Sequence, residues 1–463
     1  MTAPFTAGDV ARWTGGQLVA GSPTTPFTGA VIDSRQVTDG NLFTAIVGPN
    51  HDAHRFIPQV VEAGAAGVLA KRGSAVQTGS ACLIEVDDTT AALGAVAAGH
   101  RALFEGPVVA ITGSSGKTTT KEMCAAILEA AGPCLKTEGN LNNEFGLPLT
   151  LLRREERHQR LVVELGMNHR GEIARLAAIA KPDVALVTNC GVAHIEFLGS
   201  REEIAQEKGD LYAALGPDAV AVANLDDPVA HAQARRFEGR VIEYSCGERG
   251  DVRARDAHFV EGGAFAFDLE TPEGTAALHV TGLGETTVTN AAGAAAAALA
   301  AGVDLDAVVT GLGIYHPPAG RMAPYPIADG ATVIDDSYNA NPVSMRTSLE
   351  ALSALATSSQ AVAVLGDMGE LGDAVDAAHR ETGRIVAELG IDWLIAVGER
   401  APLVIEGARK AGMEPARSLV ASGTAAATSF VRECLGKNDW VLVKGSRDMK
   451  LERVVKTLRE GSD

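Results

Sequence analysis

Aromatic side chains make up only 4% of this 463-residue chain, and its six cysteines include no CxxC pair. A core so poor in rings must be filled with alanine and branched aliphatics. Apolar residues reach 46%, enough for a large folded core and too many for a disordered chain. The scattered cysteines (Cys82, Cys124, Cys134, Cys190, Cys246, Cys434) exclude a disulfide framework and read as free thiols in a reducing compartment. Positive charge is also short: 40 Lys and Arg stand against 58 Asp and Glu, for a net charge of -18. That argues against a nucleic-acid groove, and an anionic substrate would need locally placed Arg and Lys. Long hydrophobic runs are missing. The greasiest stretch, "AAGAAAAALAAGV", is short and suits a packed helix rather than a membrane span. The opening "MTAPFTAGDVARW" has neither the basic residues nor the apolar core of a signal peptide. The expectation is a monomeric cytoplasmic protein with no membrane or nucleic-acid partner.

Length alone predicts two or three domains. Residues 1–86 carry short β-like pieces ("GAVIDS", "NLFTAIVG", "GVLA") around one helix. Residues 87–319 hold apolar runs ("GPVVAITG", "RLVVELG", "PDVALVTN", "PDAVAVANLDD") that alternate with helical stretches, the beat of a mostly parallel sheet. "RVIEYS" and "GAFAFDLETPEGTAALHVTG" read as antiparallel strands appended to it. Residues 320–463 resume the beat with "ATVIDDSY", "QAVAVLGDM", "DWLIAVGE" and "DWVLVKGS", a separate doubly wound domain. The fold class is α/β.

Ligands of open α/β sheets bind at the carboxyl ends of the strands, and the unusual polar residues gather there. "VVAITGSSGKTTTKEM" is a strand, a glycine loop and a helix start. It is a phosphate loop shortened from the usual G-x-x-x-x-G-K-[ST] spacing. Gly113 and Gly116 free the backbone N–H groups, Lys117 offers a point charge, and Thr118 a hydroxyl for Mg²⁺. Glu164 ends "LVVE" as a carboxylate suited to a hard cation or to capping a turn. His194 is a lone histidine on a loop. Lys208 shares a helical face with Ile204, Leu211 and Tyr212. Spacing alone favours a snorkelled lysine there, and the sharper alternative is a desolvated amine that takes up CO₂. Asn290 precedes the alanine-rich run and reads as its N-cap.

Along nearly the whole chain, in order, "DSRQVTDGNLFTAIVG", "TGSSGKTTTKEM", "GNLNNEFGLPLTLL", "ELGMNHRGEI", "TNCGVAHIEFLGSREEIAQEKGD", "GRM", "DDSYNANPVSM", "GDMGELG" and "VLVKGSRDMK" resemble the Mur ligases. These are ATP-dependent amide-forming enzymes of peptidoglycan precursor synthesis. Within the family, "GNLNNEFGLP", "ELGMNHRGEI" and "DDSYNANP" are similar to the branch that adds D-alanyl-D-alanine to UDP-MurNAc-tripeptide. The resemblance implies a small N-terminal UDP-substrate domain (1–86), a central P-loop ATPase domain (87–319) and a C-terminal Rossmann-like domain that binds the incoming amine (320–463).

It also implies roles. Gly113, Ser114, Ser115, Gly116, Lys117, Thr118, Thr119, Asn290, Arg321, Asp335 and Asn339 would bind ATP. Thr118 and Glu164 would hold one Mg²⁺. Glu164, His194 and a carbamylated Lys208 would hold or support a second. Lys117, Glu164, His194, Lys208 and Arg321 would form the catalytic set. Ser34, Arg35, Asn140, Asn142, Asn143, Asn341, Ser446 and Arg447 would contact the two substrates. Three places depart from the family pattern: Thr286-Thr287 for His-Asn, Asp52-Ala53-His54 for DGH, and Lys208-Gly209-Asp210 for KGE. The rival readings are a third-residue-adding Mur ligase, a folylpolyglutamate synthase-like ligase, a P-loop nucleotide switch, and a kinase that stops at phosphate transfer.

Overall fold

The computed structural model describes residues 4–49, 51–74, 76–191, 198–260, 263–327 and 330–460. Three large sheets organise it. The first has five strands in the order Gln17–Ala20, Cys82–Val86, Gly67–Lys71, Leu42–Thr44, Ala30–Val31, with only the Gln17–Ala20 edge antiparallel. The second has nine. Its parallel portion runs Cys134–Lys136, Arg160–Glu164, Val108–Thr112, Val184–Val187, Val220–Asn224, Arg240–Ser245, Val252–Val260. An antiparallel extension, Ala264–Thr271 and Gly274–Thr281, completes it. The third has six: Ala323–Pro326, Thr332–Asp336, Trp440–Lys444, Ala361–Gly366, Trp393–Val397, Ser418–Ala421, antiparallel only at the Ala323–Pro326 edge.

The central strands Val108–Thr112, Val184–Val187 and Val220–Asn224 are buried at every residue. Helices cover both faces, so the sequence has no reason to alternate, and these strands read as unbroken apolar runs. "RVIEYS" differs from expectation: Arg240–Ser245 lies parallel to Val220–Asn224. The reason is the helix Pro228–Gln233, capped by Asp227 with proline in its first turn, which carries the chain back over the sheet. The "GAFAF…" hairpin is antiparallel as read. All six cysteines are free, and Cys246 is exposed. Among the described residues no helix is long and apolar enough to cross a membrane.

Two buried polar groups tie these layers together. The Tyr212 hydroxyl accepts from Val187 N–H at 3.1 Å and donates to Val222 O at 2.7 Å, pinning its helix to two neighbouring strands. Arg101 ends the helix Thr89–Arg101 and donates to Ala180 O, Lys181 O and Phe104 O at 2.9 Å each, and to Asp183 at 3.0 Å. A cation is thus set where two helices end and their last carbonyls have no helical partner. Replacing Tyr212 by Phe keeps the ring and strands both partners. The Tyr212→Phe protein should lose about 1–3 kcal/mol, seen as an earlier urea midpoint with unchanged far-ultraviolet circular dichroism. An unshifted midpoint would show that water replaces the hydroxyl.

Candidate active site

The strand Val108–Thr112 delivers the chain to Gly113 (φ +152°) and Gly116 (φ +76°), after which the helix Lys117–Ala130 begins. Space demands both glycines. A Cβ on Gly113 would lie 1.8 Å from Thr188 Oγ1, and one on Gly116 would lie 2.6 Å from Asn290 Oδ1. The next strand end holds the loop in shape. Asn189 Oδ1 accepts from Ser115 N–H at 3.0 Å, its Nδ2 donates to Ser115 O at 3.1 Å, and Thr188 Oγ1 donates to the same carbonyl at 2.6 Å. Ser114 N–H donates to Asn189 O at 3.0 Å, and its hydroxyl bridges Gly191. Thr188 and Asn189 therefore shape the loop; in the sequence Asn189 is only a polar residue after the apolar run "VALVT", and nothing there points to Thr188.

Lys117 folds its ammonium onto Gly113 O at 2.7 Å, and burial lowers its pKa against the opposing pull of Glu164. Thr118 Oγ1 donates to Glu164 Oε2 at 2.9 Å, and Asn142 Nδ2 donates to Glu164 Oε1 at 2.8 Å. Glu164 is held from behind. Its N–H donates to Thr137 Oγ1 at 3.0 Å, and Thr137 O accepts from the fully buried Lys121 at 2.6 Å. The Thr112 hydroxyl fixes Leu165 O at 2.8 Å. Thr119 is partly buried in the first helical turn.

Asn290 corrects one expectation. The helix runs Thr286–Ala300 with Glu285 at its N-cap, so Asn290 is interior. Its Oδ1 accepts from Thr120 Oγ1 at 3.2 Å and packs on Gly116. Thr286 and Thr287 occupy the first turn.

Lys208 lies on the helix Arg201–Ala213, capped by Ser200, and is 1% exposed. It does not snorkel. Burial, reinforced by the nearby Lys117 charge, pushes its pKa down to about 7. Glu207 offsets this only in part; its carboxylate also caps the helix Glu172–Ala180, accepting from Gly171 N–H and Ile173 N–H at 2.8 and 2.9 Å. Asp210 pairs with Arg236. His194 lies outside the described residues.

The third sheet meets the loop through Arg321, which donates to Thr118 Oγ1 at 3.1 Å. Asp335 accepts from Gly320 N–H at 2.9 Å, and Asp336 from Met322 N–H at 3.3 Å. Adjacent acids thus brace both neighbours of Arg321. Lys444 neutralises Asp336 at 2.5 Å and also reaches Asn339 O at 3.1 Å. Asp335 is buried and also accepts from Ser337, so its carboxylate is engaged by its own chain. Asn339 Oδ1 accepts from Ala340 N–H.

The remaining expected residues fall in three places. Ser34 and Arg35 sit in a short 3₁₀ turn of the first unit, with Arg35 ion-paired to Asp33 at 2.6 Å. That pair holds the Asp33 carboxyl down at about 2. Asn140 is exposed, and Asn143 Oδ1 accepts from Gly146 N–H. Asn341 caps the helix Pro342–Leu355 in a capping box with Ser344. Ser446 N–H donates to Asp367 O, and Arg447 is largely exposed beside the Tyr338 ring.

These loops bring carboxylate and hydroxyl oxygens, two cationic side chains and a helix N-terminus to one sheet edge, a constellation suited to polyphosphate. Residues 111–298 match the Mur ligase middle domain, and residues 320–447 match the Mur ligase, glutamate ligase domain. The UDP-N-acetylmuramoyl-tripeptide--D-alanyl-D-alanine ligase of Escherichia coli (strain K12) is 36% identical over 438 residues, 92% of this chain and 93% of that protein. A crystal structure of MurF from Acinetobacter baumannii superposes with a TM-score of 0.89 at 35% identity, over 99% of this chain and 100% of that one. The MurF ligase of Thermotoga maritima, solved in complex with ADP, gives a TM-score of 0.82 at 29% identity, over 92% of this chain and 96% of that one. The chain belongs to the Mur ligase family.

Proposed function

We propose that this protein is the ATP-dependent ligase that joins D-alanyl-D-alanine to UDP-MurNAc-tripeptide in cytoplasmic peptidoglycan precursor synthesis, acting as a monomer. One observation carries the reading on the structural side. A single hydroxyl, Thr118 Oγ1, is shared by Glu164 of the central sheet and Arg321 from the edge of the third. A ligase named for that specificity matches 92% of the chain, and a MurF structure covers 99% of it. Residues 1–86 then hold the UDP-substrate, 87–319 the ATP, and 320–463 the dipeptide.

A free carboxylate is too poor an electrophile for an amine. ATP's γ-phosphoryl group moves to the tripeptide's terminal carboxylate, giving an acyl phosphate. The D-alanyl-D-alanine amine attacks its carbon, and phosphate leaves. The chain's part is positioning and charge neutralisation. The N–H groups of the first helical turn and Lys117 face the phosphates, Arg321 neutralises the transferred group, and Gly113 lets the backbone approach. Ser34 and Arg35 contact the uridine end, and Asn140, Asn142, Asn143 and Asn341 line the approach of the peptide.

The oxygen donors of Thr118 and Glu164 face one another at 2.9 Å, the hard donor type that Mg²⁺ prefers. These two residues would hold one Mg²⁺. Glu164, His194 and a carbamate on Lys208 would hold a second, and the metal would supply charge neutralisation at the phosphates. The carbamate forms when the neutral Lys208 amine bonds to the carbon of CO₂ and releases a proton. With its pKa near 7, Lys208 is neutral above that pH and loses its nucleophilic lone pair as pH falls through it.

Purified protein given UDP-MurNAc-tripeptide and ATP should release phosphate only when D-alanyl-D-alanine is added, with a matching mass gain on the nucleotide product. Release with a free diamino acid on the dipeptide precursor instead would move the protein to the third-residue-adding branch. Lys117→Ala should lower turnover by about 10²–10³-fold, and wild-type rates in that variant would refute the loop's role. CO₂-stripped enzyme should regain activity with bicarbonate at about pH 8.5 and regain little at about pH 6, since only the neutral amine reacts. Lys208→Ala should respond to short carboxylates but not to bicarbonate. Full activity of Lys208→Ala without additives would refute the carbamate.

A further inference from the structure

Tyr338 stands where the phosphate side of the site meets the C-terminal side. The Arg321 guanidinium carbon lies 4.0 Å from the centroid of its ring, and the Arg447 guanidinium carbon lies 5.6 Å from the same centroid. Both fall within the range of cation–π attraction. The ring is not free to drift. Tyr338 N–H donates to Gly320 O at 3.3 Å, and Gly320 (φ +78°) has room for no side chain, since a Cβ there would lie 2.9 Å from Tyr338 Cβ. Arg321 leaves this stack to donate to Thr118. Among the described residues Arg447 has one acid within reach, Glu452 at 3.8 Å, and its side chain is 63% exposed. Its fork is therefore available to a carboxylate from solution.

We propose that Tyr338 is a positioning residue that couples the two substrates: a carboxylate bound by Arg447 strengthens, through the shared ring, the hold of Arg321 on the nucleotide phosphates. This rests on the placement of the dipeptide carboxylate at Arg447 and of the phosphates at Arg321. Two like charges share one electron-rich ring, so each weakens the other's claim on it. A carboxylate on Arg447 neutralises one of them. Arg321 then has the ring to itself and is held more firmly in its orientation toward Thr118. Linkage makes the effect reciprocal: nucleotide must tighten dipeptide binding by the same factor.

The test measures the Kd of a non-hydrolysable ATP analogue with and without saturating D-alanyl-D-alanine, in the full-length protein with UDP-MurNAc-tripeptide present. The wild type should bind the analogue about three- to tenfold more tightly with the dipeptide, the scale of one cation–π contact. Tyr338→Phe keeps the ring and should keep the ratio. Tyr338→Leu should bring the ratio to about one while the thermal midpoint stays near that of the wild type, a split that a purely structural role would not produce. A ratio preserved in Tyr338→Leu, or absent from the wild type, overturns the coupling. Arg447→Ala should weaken D-alanyl-D-alanine binding directly. Unchanged dipeptide affinity in that variant would place the error in the position of the dipeptide, and the coupling falls with it.

Discussion

The contact that organises this molecule is the meeting of Glu164 and Arg321 on the hydroxyl of Thr118. A carboxylate from one strand end and a guanidinium from the margin of another sheet share a single oxygen at the start of a helix. Much else in the site serves to make that meeting possible. Thr137 and Thr112 fix the backbone around Glu164, and Lys121 fixes Thr137. Asp335 and Asp336 fix the residues flanking Arg321, and Lys444 neutralises Asp336. The charged groups are few and partly desolvated, and in such surroundings the geometry of each matters more than the net charge of the chain.

Lys208 shows the same economy in a different form. An isolated buried ammonium is costly, and a protein ordinarily answers with a counter-ion or a lowered pKa. Glu207, the adjacent acid, is engaged by the N-terminus of another helix and offsets the cost of burial only in part, so the lysine shifts. Its neighbour Lys117 presses in the same direction. The chemistry open to a neutral buried amine follows from how little that counter-ion returns.

Much of this was legible in the chain. Strands buried on both faces print themselves as unbroken apolar runs, which is why "VVAIT", "VALV" and "VAVAN" located the central sheet and its polar strand ends. The glycine loop and Lys117 could be read because only a few residue types suit that backbone. What failed depended on partners distant in sequence. "APYP" forms the edge strand Ala323–Pro326, a strand the apolar pattern does not mark, since its two prolines are tolerated only where a strand has a free side. From the sequence Asn290 reads as a helix cap because the true first turn, "TTVT", is β-branched and has no side-chain cap. The orientation of "RVIEYS" turned on a six-residue helix upstream. Spacing put Lys208 on an apolar face, but whether its tip reached water was decided by the packing around Cys190, Glu207 and Lys117.

The strand order of the central sheet carries a consequence for how the chain is made. Val108–Thr112 lies between Arg160–Glu164 and Val184–Val187, so both of its neighbours come later in sequence. As the chain leaves the ribosome, the strand that carries the glycine loop has no lateral partner until about fifty residues have followed it, and is flanked on both sides only after residue 187 has emerged. Parallel pairing across such separations is slow and leaves apolar edges open in the interval. The segment most important to the site is thus among those with the longest wait, and a chaperone or the helix Lys117–Ala130 laid across it would be its shelter in that time.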